Sequence, residues 1–431
     1  MTSFKLIDFY KQKTPDYQLL PFKFINLNND KVILTNMAGE FYQTNKDTVK
    51  KLVHHKLDNS HKDYSSLRSK HFFTDQKTKI AKELLSIKCR TKYSRLSEFT
   101  GLHMFVVSLR CEHSCPYCQV SRQSDDKIKY DMSEEIAKKS IDIALKTPAK
   151  NVKIEFQGGE PLLNFKIIKY IVEEINSRDH KKNIAYVIAT NLAVINHEIL
   201  DYCREKDIHI STSLDGPKDL HNANRPRPGK NSYEKTIEGI NLCRKNLGED
   251  KVSALMTTTE ASLSRSKEII DEYIKRKFCG IFLRPLSPYG FAIKTKKYLA
   301  YNAERWFDFY VEGMDYILEL NKKGVKFKEF YTSLILKKMF TFRDPGYVDL
   351  MSPSGIGISG VIYNYDGSVF ASDESRMLSE MGDDKFKLGN VLKNSYEEIF
   401  LSESLLDPLE KSFALSVPMC NDCAFEPYCG F

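Results

Sequence analysis

The chain has 431 residues, 42% hydrophobic and 28% charged, with a formal net charge of +8 and 10 cysteines. That composition excludes a disordered tail protein, a collagen-like fibre and a disulfide scaffold, and a modest charge spread along the chain does not call for a nucleic-acid partner. No run approaches the roughly 20 apolar residues of a membrane helix, and MTSFKLIDFYKQKTPDY at the start lacks an apolar signal core, so a cytoplasmic protein with no membrane partner is expected.

Taken in chain order, FKFINL and KVILTN flank Asn28, Asn29 and Asp30 and read as a hairpin. EFYQT follows as a strand, Asn45 caps a helix over KDTVKKLVHHKL, and a charged helical stretch covers residues 75–95. Residues 1–95 are therefore expected to form a small N-terminal α+β module.

Strands and helices then alternate. LHMFVVSLR, VKIEFQ, AYVIAT, IHISTSL, VSALMTT and IFLRPL read as strands, each separated from the next by a helical or loop segment. Ser133 and Ser232 are the expected caps of two of the helices, and Ile168, Ile171, Val172 and Ile175 keep the i, i+3, i+4, i+7 spacing of a buried face. Six such units suit a parallel sheet. They fall short of the roughly 250 residues of an eightfold barrel, so an open, partial barrel over residues 100–300 is expected. A helical connector over 301–349 and a separate C-terminal unit over 350–431, with a hairpin at Asp366-Gly367, complete the division.

In a reducing compartment cysteines are metal ligands, redox groups or core residues. Cys89, Cys203, Cys243 and Cys279 are scattered and read as core. The rest cluster. Cys111-x3-Cys115-x2-Cys118 offers three thiolates from a loop directly after the first barrel strand. Three thiolates suit an iron–sulfur cluster with one iron left open, whereas zinc normally takes four ligands. A Cys3His zinc site with His113 or His103 is the competing reading.

This loop resembles the signature of the radical S-adenosylmethionine (SAM) enzymes. The resemblance implies an α/β fold of the partial (β/α)6 radical SAM barrel type, with a C-terminal SPASM-like extension. It implies a [4Fe-4S] cluster on Cys111, Cys115 and Cys118 that binds and cleaves SAM. It also implies a SAM pocket at Tyr117 (beside the adenine), Gly158, Gly159 and Glu160 (a GGEP segment), Ser213 (ribose), Arg225 (methionine carboxylate) and Leu255 (adenine side). Independently, Gly-Gly lets a backbone approach a ligand, and a glutamate can pair with an ammonium group.

Cys420, Cys423 and Cys429 resemble the start of the SPASM-type cysteine pattern, which implies an auxiliary iron–sulfur cluster. Two departures stand out. Ser372 occupies the place of an expected cysteine, and the chain stops at Phe431 inside the pattern, so a longer native chain is expected. In sulfatase-maturating relatives the aspartate at the position of Asp373 acts as a base; a plain turn aspartate is the other reading.

RCEHSCPYCQVSRQS, EFQGGEPLLNF, STSLDGPKDLHNANRPRPG and YNYDGSVFASDESRMLSEMGD resemble the His-Xaa-Ser system radical SAM maturases. That implies a ribosomally made precursor peptide as substrate, a low-potential electron donor such as ferredoxin or flavodoxin, and a companion maturase. The N-terminal module could receive the peptide leader as an added strand. Sulfatase-maturase-like oxidation of a protein Ser or Cys, and a non-catalytic metal-binding peptide escort, are the competing functions.

Overall fold

The computed structural model describes residues 16–75, 79–120, 122–294 and 301–430. Residues 1–15, which carry most of the stretch read for a signal core, and Phe431, on which the expected early stop rests, lie outside them. The chain divides into two units. Met1–Leu96, Leu334–Ser354 and Lys411–Phe431 form one, and Ser97–Ser333 and Gly355–Glu410 form the other.

In the first unit the β-rich runs form β1 (Tyr17–Leu19), β2 (Phe22–Asn26), β3 (Lys31–Asn36), β4 (Phe41–Asn45) and β5 (Phe73–Asp75). β2, β3 and β4 make an antiparallel meander, and β1 pairs with β5. Asn45 caps α1 (Lys46–Val53), its side chain accepting from the Thr48 amide at 2.8 Å. α2 (Tyr64–Ser69) and α3 (Ile80–Lys92) follow. Tyr17, Leu34, Leu52, Phe72 and Phe73 form the core. The buried Asp63 carboxylate accepts from Tyr42 (2.9 Å), Thr44 (2.8 Å) and Thr48 (3.3 Å), which ties the meander to α1.

The tail belongs to this same unit. Thr35 Oγ1 donates to the Ala424 carbonyl at 2.8 Å, Lys23 pairs with Glu426 at 3.3 Å, and Tyr428 Oη donates to the Gly39 carbonyl at 2.9 Å. The expected C-terminal unit over 350–431 is thus divided, because its last residues satisfy polar groups of the meander.

The second unit is built on one sheet. β6 (Leu102–Ser108) leads through α4 (Glu134–Ala144) to β7 (Asn151–Gly158), and α5 (Phe165–Ser177) leads to β8 (Asn183–Thr190). α6 (His197–Glu205), β9 (His209–Ser213), α7 (Lys218–Asn224), α8 (Ser232–Leu247), β10 (Val252–Leu255) and α9 (Ser266–Lys275) continue the alternation. The helices bury the faces their spacing predicts: Ile168, Ile171, Val172 and Ile175 on α5, and Ile269, Ile270 and Tyr273 on α9, are fully enclosed. Of the scattered cysteines, Cys203 and Cys243 are core, Cys89 is half-buried, and Cys279 is exposed, contrary to expectation.

Three further expectations need correction. The IFLRPL run supplies only β11 (Gly280–Ile281), and after α10 (Ala303–Lys322) it pairs with β12 (Lys328–Glu329), not with the main sheet. A tight turn closed by the Arg284 amide on the Phe282 carbonyl at 2.9 Å ends the run, and Pro285 lacks the amide a ladder needs. α11 (Phe330–Phe340) follows. The sixth parallel strand is β13 (Gly360–Tyr363), from the segment expected to stand apart. All four of its residues are buried, as in a strand covered on both faces. β14 (Ser368–Phe370), α12 (Asp373–Ser379) and β15 (Lys387–Asn390) complete the order β10-β9-β8-β7-β6-β13-β14-β15. Finally, Asn231 and not Ser232 stands at the cap of α8, because the Ser232 side chain is 1% exposed and turned inward.

His103 joins β6 to β13: Nε2 donates to the Thr100 carbonyl and Nδ1 accepts from Tyr363 Oη, both at 3.0 Å. It is enclosed, and burial pushes its pKa down to about 3. Its folded pKa lies below its unfolded value near 6.5, so its stabilising contribution is whole above pH 6.5 and is lost as pH falls. Acidifying the metal-free protein from pH 6.5 to 5 should cost about 1–2 kcal/mol through this group. Urea unfolding of His103→Gln should show that part of the pH dependence gone.

Candidate active site

The cysteine loop leaves β6 at the carboxyl edge of the sheet, where the loops after β7, β8 and β9 also emerge. Its entry is pinned by Arg110, whose guanidinium pairs with Asp131 at 2.8 Å and Asp125 at 2.7 Å and donates to the Leu163 carbonyl at 2.8 Å. The Gly-Gly-Glu turn lies directly against this exit. The Gly159 amide donates to the Ser108 carbonyl at 2.8 Å, and the Glu160 amide to the Arg110 carbonyl at 2.7 Å. A Cβ on Gly158 would stand 2.0 Å from the Ser108 oxygen, and one on Gly159 2.3 Å from the Arg110 oxygen. Only glycine permits that approach.

Burial pushes the Cys115 thiol up to about 12 and Cys111 well above its ordinary range, and each is raised further by another thiol of the loop. The positive Arg225 acts in the opposite direction on Cys115. Sulfurs this desolvated stay protonated as free thiols and suit a metal that replaces the proton. Among the described residues, the one set of three metal-type ligand atoms within 4.8 Å of one another is Cys111, Glu112 and His113. The three sulfurs of the loop therefore do not all lie within 4.8 Å of one another. His103 is committed to Thr100 and Tyr363, which removes it from the zinc alternative.

The hub of the site is Asp215, just past β9 and fully buried. Tyr117 Oη donates to it at 2.6 Å, Arg225 Nε and Nη2 at 3.0 and 3.2 Å, and the Thr257 amide at 3.1 Å. Desolvation works against its charge, but Arg225 and the other donors hold the carboxyl below its usual range. The Arg225 guanidinium lies 5.5 Å from the centre of the Tyr117 ring. Tyr117 and Arg225 are thus brought together from the cysteine loop and the end of α7. Ser213 ends β9 beside Leu255 at the end of β10, with which it is in register. Leu255 is 41% exposed and so is not core.

Glu160 is enclosed and faces the protein. Its carboxylate accepts from Thr190 Oγ1 at 2.7 Å, the Asn191 amide at 2.9 Å and the Leu162 amide at 3.1 Å. Burial, then the charge of Glu112, pushes its pKa up to about 8. The ammonium pairing expected of it therefore meets a carboxylate that already holds three donors. Ser372 caps α12 in a reciprocal bond pair with Ser375, which gives its hydroxyl a purely local use. Asp373 is the first residue of that helix and pairs with Arg376 at 3.4 Å. Arg376 in turn donates to the Val120 carbonyl at 3.3 Å, docking α12 on the tail of the cysteine loop.

Cys420, Cys423 and Cys429 lie in the other unit from Ser372. Cys429 is exposed and its thiol donates to the Gly430 carbonyl at 3.2 Å. Among the described residues these three form no ligand group within 4.8 Å. Sequence reasoning missed Asp215, Asn191, His113, His221 and Ser232 as network members. The signal available was positional: Asn191 follows the third strand as Glu160 follows the second.

The Radical SAM superfamily profile matches residues 105–283. The likeness to that superfamily thus covers 179 of the 431 residues (283 minus 104). The superfamily works with a [4Fe-4S] cluster and SAM, and the chain is an enzyme. It is 23% identical over 339 residues to the cysteine-type anaerobic sulfatase-maturating enzyme of Clostridium perfringens, covering 74% of this chain and 84% of that one. It is 36% identical over 139 residues to an uncharacterized protein of Methanocaldococcus jannaschii, spanning under half (46%) of that relative's length and 32% of this chain. Its fold is similar to that of Streptococcus suis SuiB bound to its precursor peptide SuiA, with a TM-score of 0.53 at 15% identity over 97% of this chain and 94% of that one. No helix among the described residues is long and apolar enough to cross a membrane.

Two outcomes test this geometry. Gly159→Ala should leave secondary structure intact by circular dichroism yet cut iron uptake on reconstitution to less than about half, since the turn can no longer lie on Arg110. Asp215→Asn should destabilise the metal-free protein by about 3–5 kcal/mol in urea, because Arg225 is left buried without its anion.

Proposed function

We propose that this chain modifies a ribosomally made precursor peptide of the His-Xaa-Ser repeat type by hydrogen abstraction. The observation that carries the reading is the loop after β6, which brings Cys111, Cys115 and Cys118 beside the Gly-Gly-Glu turn and Arg225, with Cys111 and Cys115 desolvated. Cys111, Cys115 and Cys118 would hold the [4Fe-4S] cluster, and Tyr117, Gly158, Gly159, Glu160, Ser213, Arg225 and Leu255 would surround SAM. Cluster and SAM, when bound, would supply the radical chemistry for hydrogen-atom abstraction from the substrate.

The residues of the chain do the rest. Gly158 and Gly159 bring backbone close to the ligand, and the Asp215–Arg225 pair keeps a guanidinium fixed and charged. Glu160 braces the second and third loops. Asp373 would receive a substrate proton beside the desolvated carboxyls Glu155 and Glu374, both of which feel its charge. The β2–β3–β4 meander would take the leader as a further strand. An auxiliary cluster at Cys420, Cys423 and Cys429 would need sulfurs or other donors additional to theirs. An electron donor of ferredoxin or flavodoxin type would serve the cluster from the cytoplasm.

The test is anaerobic incubation of the reconstituted protein with SAM, reductant and a His-Xaa-Ser repeat precursor. Release of 5′-deoxyadenosine and a precursor mass change of two hydrogens are expected. Alanine at Cys111, Cys115 and Cys118 together should lower iron from about four atoms per chain to fewer than one and abolish release. Continued SAM cleavage by that variant would overturn the proposal. The coverage of the clostridial maturase favours a second reading, oxidation of a Ser or Cys side chain, to which the same assay assigns the activity if only a sulfatase-derived peptide loses mass.

A further inference from the structure

A buried chain of hydrogen bonds leads from the cysteine loop to Asp215 and runs through Glu112, His113, Ser232 and His221, to which no role has been given. Glu112 Oε1 lies 3.0 Å from His113 Nδ1, and His113 Nε2 lies 2.8 Å from Ser232 Oγ. Ser232 Oγ is in turn 3.1 Å from His221 Nε2, and the Asp215 amide is 3.2 Å from His221 Nδ1. Asn191 Nδ2 stands 3.0 Å from His113 Nδ1 and 4.0 Å from the Cys111 sulfur, and Thr236 Oγ1 stands 3.5 Å from His221 Nε2. His113, Ser232 and His221 are all 2% exposed or less.

The direction of the chain follows from one group. A backbone amide can only donate, so His221 Nδ1 accepts from Asp215 and carries its proton on Nε2. Nε2 then donates to Ser232 Oγ, which leaves the Ser232 hydroxyl proton for His113 Nε2. The Glu112 carboxylate can only accept, so His113 Nδ1 carries a proton toward it; the Asn191 NH2 is likewise a donor to Glu112, and its approach to His113 Nδ1 at 3.0 Å sets two donors side by side and is not a bond between them. A hydroxyl that accepts on one side and donates on the other is what two imidazoles in this order require. Ser232 is not spent on its helix either, since Asn231 holds the cap position and makes no side-chain cap bond.

We propose that Ser232 is a positioning residue that locks the cysteine loop to the loop carrying Asp215 and Arg225, setting cluster and SAM in register. It joins the His113 side of the chain to the His221 side directly, where the other path between them, past Asn191 and Thr236, is longer, and through Asp215 the His221 side reaches Tyr117 and Arg225. The inference rests on the radical SAM reading of this site. Its partners explain why a small polar side chain is fully enclosed where an apolar one would pack.

The experiment compares the full chain with Ser232→Ala and Ser232→Thr, purified and reconstituted anaerobically. Iron per chain, the melting midpoint of the metal-free form, the electron paramagnetic resonance spectrum of the reduced cluster, and the SAM dissociation constant by calorimetry are measured. Ser232→Ala should melt cooperatively within a few degrees of wild type and take up iron, yet bind SAM at least about tenfold more weakly with an altered SAM-induced spectral change. Ser232→Thr, which keeps the hydroxyl, should lie within about threefold of wild type. Wild-type SAM affinity and spectrum in the Ala variant would overturn the proposal. So would equal losses in both variants, or failure of the Ala variant to melt cooperatively, since these mark a merely structural role. A wild-type protein that takes up no four-iron cluster would instead overturn the reading on which the proposal rests.

Discussion

One buried carboxylate organises the active end of this molecule. Asp215 receives donors from the cysteine loop, from the end of α7 and from the backbone past β10, and its own amide engages His221. An ionised carboxylate removed from water is costly unless paired and hydrogen-bonded, and here every approach is occupied. Because the groups that satisfy it come from separate loops, their positions are set together. A shift of any one loop leaves a charge or a donor unmatched in a low-dielectric interior, where the penalty is largest. Arg225 depends on the same logic, since the charge that would meet a ligand carboxylate is kept in place by an internal one.

Close approach of backbone is the second constraint. The Gly-Gly-Glu turn lies on the exit of β6 at distances no side chain could tolerate, and Glu160 then ties that turn to the next loop through Thr190 and the Asn191 amide. Ser213 and Leu255 stand in register at the ends of neighbouring strands, and the Glu155 carboxyl in β7 is raised by burial and by Asp373.

Much of this was legible in the chain itself. The alternation of β-branched runs with helices of 3.6 period placed the strands β6 to β10 and the buried faces of α5 and α9, because both patterns report burial directly. The cysteine spacing and the glycine pair were read as one site, and the glycine turn does lie against the strand exit that leads to the cysteines. The fate of IFLRPL was not legible: a two-residue strand and a six-residue strand carry the same β-branched residues, and only the turn at Arg284 and Pro285 separates them. β13 was read as a hairpin strand, which it is, but its second neighbour is β6, and long-range pairing leaves no mark in a short apolar run. The inward turn of Ser232 was hidden for a similar reason, as a serine at a helix start ordinarily caps it.

The placement of β13 bears on how the protein is made. Leu102 is paired with Gly360, so the outer edge of the strand that leads to the cysteines has no partner until 258 further residues (360 minus 102) have been added. An unpaired strand edge is a template for wrong pairing, and contacts this distant in sequence form slowly. During synthesis the cysteine loop is therefore carried on a half-built sheet, and its final surroundings exist only after nearly the whole chain has left the ribosome. Metal loading that follows the closing of that edge meets a finished pocket, whereas loading that precedes it meets exposed thiols on an aggregation-prone strand.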